Sequence, residues 1–134
     1  MDDKLRDLFD VHLEKVLSEL PASLTKVLDE VPLHVEDYPP DNILDMFGLE
    51  RRDDLCGLHS GLPMIQRKEM MDRAGWSDPN VITVYREGVL REAYAHAGRL
   101  SEKELLRQIR ITLLHEIGHY HGLDEDDLSE LGYG

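Results

Sequence analysis

The chain has 134 residues, 41% hydrophobic and 32% charged, with 28 acids against 15 bases and a formal charge of −13. That length supports one hydrophobic core without staples, so a single domain over residues 1–134 is expected, and so acidic a surface argues against a nucleic-acid partner. Cys56 is the only cysteine, which rules out an intrachain disulfide framework and fits a reducing compartment.

No basic n-region precedes an apolar run at the N-terminus, and no stretch approaches the roughly 18 apolar residues of a membrane span. A soluble, cytoplasmic protein with no membrane association is the expectation. No apolar stripe is demonstrably surplus to a core, so a monomer is compatible with the sequence and no oligomer is specified.

In chain order, residues 2–20 place Leu5, Leu8, Phe9, Leu13, Val16, Leu17 and Leu20 at steps of three and four, an amphipathic helix closed by Pro21. "SLTKVLDE" adds a turn of helix with Ser23 as its cap. "VPLHVEDYPP" reads as a short strand ended by Pro39 and Pro40, with His34 in a structural role. From 41 to 80 the signals are loop-like, "PPDN", "GLERRDD", "HSG" and "GWSDPN". Within them "LCGLHSGLPMI" is apolar and glycine-bearing, fit for a strand or hairpin along a cleft. Val81 to Tyr85 is the clearest strand, rich in β-branched residues, and Gly88 leaves its continuation open.

Next, "SEKELLRQIRITLLHEIGHYHG" opens with the capping box Ser101-x-x-Glu104 and closes at Gly122, a residue suited to a left-handed stop. The spacing predicts a helix of about five turns. "DEDDLSELGYG" reads as one more short helix, with Leu128 and Leu131 inward.

On that long helix His115 and His119 stand four apart and project from one face, where two imidazoles can ligate one Zn²⁺ from the same side. At about 100° per residue, Leu106, Leu113 and Ile117 fall opposite them, and Gln108, Ile111 and Thr112 line the floor on the histidine side. Glu116 lies about a quarter-turn round, placed to hydrogen-bond a metal-activated water as general base and to hand the proton to a leaving amine. A catalytic zinc needs a third protein ligand and an open position. After Gly122 the chain can swing Glu125 back to the metal, where the extended His-Glu-x-x-His-x-x-Gly-x-x-His pattern carries its third ligand. Asp124, Asp126 and Asp127 are rivals for that place.

Bare His-Glu-x-x-His also occurs in proteins with no metal; the capped helix, the opposed apolar face and the register of Gly122 and Glu125 favour a metal helix here. For His12, His59 and His96 a surface or structural role is the better reading, since ligands need partners at fixed spacing. His121 is about 200° round the helix from His119, too far to ligate with it. Cys56 reads as a small buried hydrophobe, and the acids 124–127, apart from the ligand, as a solvated helix start.

The segment "LLHEIGHYHGLDEDDLSELGYG" resembles the small bacterial zincin-like metallopeptidases described as having a minimal zincin fold. "LCGLHSGLPMIQR" looks like that family's Gly-Leu-Tyr-x-Gly-x-Pro loop and "DPNVITVYRE" like its Pro-Asp-x-Ile-x-x-Tyr strand. The order of elements upstream is also similar, so the likeness covers nearly the whole chain. The resemblance implies an α+β fold, a small mixed β-sheet packed on a few helices, with the metal helix near the C-terminus beneath an edge strand. In zincins an extended peptide adds to that edge as a strand; residues 57–64 and 81–85 are the candidates. The resemblance further implies a Zn²⁺ held by His115, His119 and Glu125, with Glu116 as catalytic base.

Two departures stand out. His59 occupies the position of the family's tyrosine, which changes the cleft wall. The larger relatives with this third-ligand pattern carry a methionine turn downstream, whereas the fifteen residues after His119 contain no methionine. Tyr133, or less favourably Tyr120, is the candidate for stabilising an oxyanion.

The expected function is zinc-dependent hydrolysis of peptide bonds, with a peptide or protein substrate. The alternative is a zincin-fold, metal-bearing module that binds a peptide or partner without efficient turnover; such a module has no need of Glu116. A structural zinc is disfavoured, since structural sites take four protein ligands and only three are in register.

Overall fold

Asp2 starts the first helix: its side chain accepts a hydrogen bond from the Lys4 amide at 2.7 Å. In the computed structural model, which describes residues 1–61, 80–122 and 126, that helix, α1, runs Asp3–Glu19 and buries Phe9, His12, Leu13 and Val16. It ends at Leu20 in an extended conformation, as the residue before a proline prefers.

The next helix, α2 (Ala22–Glu30), is longer than the single turn expected and is not capped by Ser23. The carbonyl of Pro21 accepts from the amides of Leu24 and Thr25 instead, at 3.0 and 3.1 Å. Leu24, Val27 and Leu28 pack on a core cluster of Val31, Ile82, Ile117 and Tyr120, so tertiary burial extends the helix.

Strand β1 (Leu33–Glu36) follows where the proline-bounded run predicted it. The "PPDN" stretch, expected as loop, opens the short helix α3 (Asp41–Phe47), with Asp41 in its first turn and Gly48 left-handed at its end. None of its residues is buried, so it carries no hydrophobic period by which the sequence could announce it.

Strand β2 (Gly57–Ser60) lies within "LCGLHSGLPMI", and β3 covers Val81–Tyr85 as expected. Helix α4 (Arg86–Ala97) begins on the residue after β3, with no loop between them. Gly88 lets α4 pack closely on the chain entering β2: a β-carbon there would sit 2.0 Å from the Leu55 carbonyl oxygen.

Helix α5 (Glu102–Tyr120) has 19 residues and the predicted start, with Ser101 Oγ accepting from the Glu104 amide at 3.4 Å. The Glu104 carboxylate turns to Arg107. Gly122, just past the end, adopts φ 84°. Residues 62–64 of the apolar loop and the expected last helix with Leu128 and Leu131 lie outside the described residues.

Among the described residues the fold is α+β, five helices with a three-stranded mixed sheet ordered β1-β3-β2. β1 runs parallel to β3 and β2 antiparallel, with Ile82 between Leu33 and His59 and Val84 between Val35 and Gly57. Alternate residues share a face, so Gly57 and His59 lie on the side of Ile82 and Val84, both fully buried. That side rests on α5, which supplies Leu105, Ile109 and Leu113 to one core cluster and Ile117 and Tyr120 to the other. The order also decides between the two candidate edges. β3 is central, which removes 81–85, and among the described residues β2 is an edge strand lying against the histidine helix. No helix among the described residues is long and apolar enough to cross a membrane.

Candidate metal centre

The two last turns of α5 bring His115 and His119 together as the four-residue step requires. Their Nε2 atoms approach to 3.1 Å, with ring centroids 4.7 Å apart and planes crossed at 78°. Glu116 is buried, with Oε2 3.9 Å from His115 Nε2, and ligand atoms of the three residues lie within 4.8 Å of one another. A tetrahedral ion bound to two imidazole nitrogens at about 2.0–2.1 Å needs them roughly 3.3–3.4 Å apart, so the observed pair fits a zinc after a slight rotation of either ring. Two imidazoles one turn apart, with a buried carboxylate beside them able to accept from a bound water, also suit that metal.

Of the proposed third ligands, Glu125, Asp124 and Asp127 lie outside the described residues, as does Tyr133; Asp126 is described and exposed. Tyr120 is a core residue, packed with Val31, Ile82 and Ile117.

Strand β2 forms the wall over this helix. A β-carbon on Gly57 would lie 2.9 Å from Thr112 Cγ2 and 3.2 Å from Glu116 Cγ, so the absence of a side chain there lets the strand close on the carboxylate. His59, two residues on, shares that face. It is half-buried, its ring edge-on to Tyr120 at 5.9 Å, and Asn80 Oδ1 accepts from its Nε2 at 2.7 Å. Burial lowers its pKa below the usual histidine value; the hydrogen bond to Asn80 raises it, and the field of His119 lowers it again. The histidine read as surface or structural stands in the cleft wall, next to the helix of His115 and His119. Asn80, 3% exposed, is a contributor that sequence reasoning missed, because its partner is 21 residues away in the chain.

A cavity of about 320 Å³ extends from His115 and Glu116 back along the same face of α5. Gln108, Ile111 and Thr112 line it, as the helical period predicted. Leu55 and Cys56 form the strand side, and Glu92 and His96 of α4 the far side. Burial pushes the Cys56 thiol up to about 12, with the Glu92 and Glu116 carboxylates adding to the effect. It stays protonated, in keeping with a packing role and not with a nucleophile.

The remaining histidines fall elsewhere. His12 is buried between α1 and α5, Nδ1 2.7 Å from the Leu8 carbonyl and Nε2 2.9 Å from Glu102. His34 is exposed on β1. His121 follows the end of α5, its ring 5.4 Å from that of Tyr120.

The sequence model of the zincin-like metallopeptidases matches residues 28–134, a span that takes in the whole sheet, α3 to α5 and the histidine motif. Among curated proteins no match is found.

Proposed function

The chain belongs to the zincin-like metallopeptidase family, and from that premise we propose that it hydrolyses peptide bonds with zinc held by His115, His119 and Glu125 and with Glu116 as general base. The observation that carries this reading is the convergence of the two Nε2 atoms to 3.1 Å beside a buried carboxylate. Zinc bound there supplies a Lewis acid that polarises a peptide carbonyl and acidifies water.

The protein's own residues do the rest. Glu116 takes the proton of the attacking water and returns it to the leaving amine; its burial beneath Gly57 holds the carboxylate in place for both transfers. The edge strand β2 offers its outer backbone to an extended peptide, which would lie antiparallel or parallel to it above α5. His59, held by Asn80, stands on the face of β2 that lies toward α5. We take the substrate to be a peptide or protein, the 134 residues to work as one unit, and the cytoplasm, where a lone protonated thiol is at home, as the location. A partner-binding module without turnover is the weaker reading, since it has no use for a buried carboxylate 3.9 Å from a ligand nitrogen.

The test is cleavage of a randomised peptide mixture by zinc-loaded protein. Glu116→Gln should lose roughly 10²–10⁴-fold in turnover while keeping its zinc. A variant as active as wild type would overturn the mechanism.

A further inference from the structure

We propose that the cavity beside Glu116 is a substrate side-chain pocket that selects a basic residue, with Glu92 as the carboxylate that recognises it. This rests on the peptidase reading above and deepens it by naming the substrate class.

Position is the first argument. Thr112, His115 and Glu116 line both the cavity and the catalytic face of α5, so a peptide bond presented to Glu116 has a neighbouring side chain directed along the helix into that space. At about 320 Å³ the cavity stands at the small end of ligand pockets, room for one long side chain and not for a second chain segment.

Charge is the second. Glu92 lines the cavity from α4 and has no ion-pair partner among the described residues. The nearby cations are engaged elsewhere. Arg91, its neighbour in sequence, is paired with Asp54 and lies 3.7 Å from Asp53. Arg107 also lines the cavity, but its guanidinium is 3.5 Å from the Glu104 carboxylate, and it stands eight residues before His115, roughly 12 Å down the helix axis. His96 is at the exposed rim, one turn beyond Glu92. The cavity is thus flanked by two carboxylates, Glu116 at the chemistry and Glu92 on the α4 side. Their joint field is felt at the Cys56 thiol on the strand side, which burial first and then these two carboxylates keep protonated.

An ammonium or guanidinium on an apolar stem complements this arrangement. The stem passes Leu55 and Ile111, and the charge meets the exposed Glu92 carboxylate at the open side of the cavity, where the attraction is screened by salt. An acidic side chain is repelled at the same place. The net charge of −13 also steers cationic peptides toward the chain.

The test uses zinc-loaded protein and quenched-fluorescence peptide mixtures with one position fixed as Lys, norleucine or Glu. At one position flanking the scissile bond, Lys should exceed norleucine by roughly tenfold or more in kcat/KM. Glu92→Gln should bring that ratio close to one, and Glu92→Lys should invert it toward Glu. In parallel, zinc-loaded Glu116→Gln should bind the Lys mixture more tightly than the norleucine mixture, by fluorescence anisotropy, and lose that difference when Glu92→Gln is added. Cleavage with no Lys preference, or a preference that survives Glu92→Lys, overturns the pocket assignment. If wild type cleaves nothing but binding is Lys-selective and Glu92-dependent, the peptidase reading fails and the pocket stands. If neither cleavage nor such selective binding occurs, the pocket assignment fails as well.

Discussion

Gly57 of the edge strand and Glu116 of the histidine helix are in contact: a β-carbon on Gly57 would come within 3.2 Å of Glu116 Cγ and 3.1 Å of the Thr83 carbonyl oxygen. The strand can lie over the proposed base only because position 57 has no side chain. Gly57→Ala should therefore push β2 off α5, costing about 1–3 kcal/mol in denaturant unfolding as overpacked cores do. It should also lower peptide turnover more than zinc content, because it displaces Glu116 and not the ligands. An alanine variant with wild-type stability and turnover would show that the strand yields without consequence.

That contact also marks the limit of what the sequence could disclose. Period and punctuation announce α1 and α5 with their ends and the body of β3, since Phe9, Leu13 and Val16 repeat at helical steps, Val81–Tyr85 is β-branched, and Ser101 and Gly122 cap and stop the last helix. The pair His115 and His119 is legible for the same reason, as its geometry is set within one helix. Gly57 and Asn80 act through partners brought near only by folding, and nothing local flags them. Helix α3 escaped because no residue of it is buried, and α2 was underestimated because its length depends on the cluster it packs against.

Asp37 ties three elements together. Its carboxylate accepts from Arg6 at 2.7 and 3.2 Å and from Arg86 at 2.9 Å, and Arg86 also donates to Asp10 of α1. The hydrogen bond from Arg6 holds the Asp37 pKa down at about 2, burial opposing it and Arg86 adding to it. A carboxylate whose folded pKa lies below its unfolded value, near 3.9, stabilises the fold above about pH 4, and that stabilisation is lost as the pH falls toward 2. With solvent screening counted, the contribution is on the order of 1 kcal/mol. Asp37→Asn should lower stability at pH 7 by that amount and should flatten the loss between pH 4 and pH 2, read from urea midpoints at each pH. Equal acid sensitivity in variant and wild type would remove Asp37 as the cause.

Cys56 offers a chemical probe of the packing between β2 and α5. With its pKa raised to about 12 by burial and by Glu92 and Glu116, it carries almost no thiolate at pH 8. The native protein should react with a disulfide reagent at least about tenfold more slowly than the urea-unfolded chain, since the thiolate is the attacking form. Equal rates in the two states would mean that the thiol is open to solvent and that the strand side of the cavity is not closed.

Whether α5 holds a metal is read by elemental analysis of the purified protein. Wild type supplied with zinc should hold about one ion per chain, as a single three-ligand site does. His115→Ala should hold almost none, and Glu125→Ala should hold zinc only weakly, losing it to a mild chelator that leaves wild type loaded. Absence of zinc from wild type, even after it is supplied to the apoprotein, or full zinc content in His115→Ala, would mean that α5 is not a metal helix.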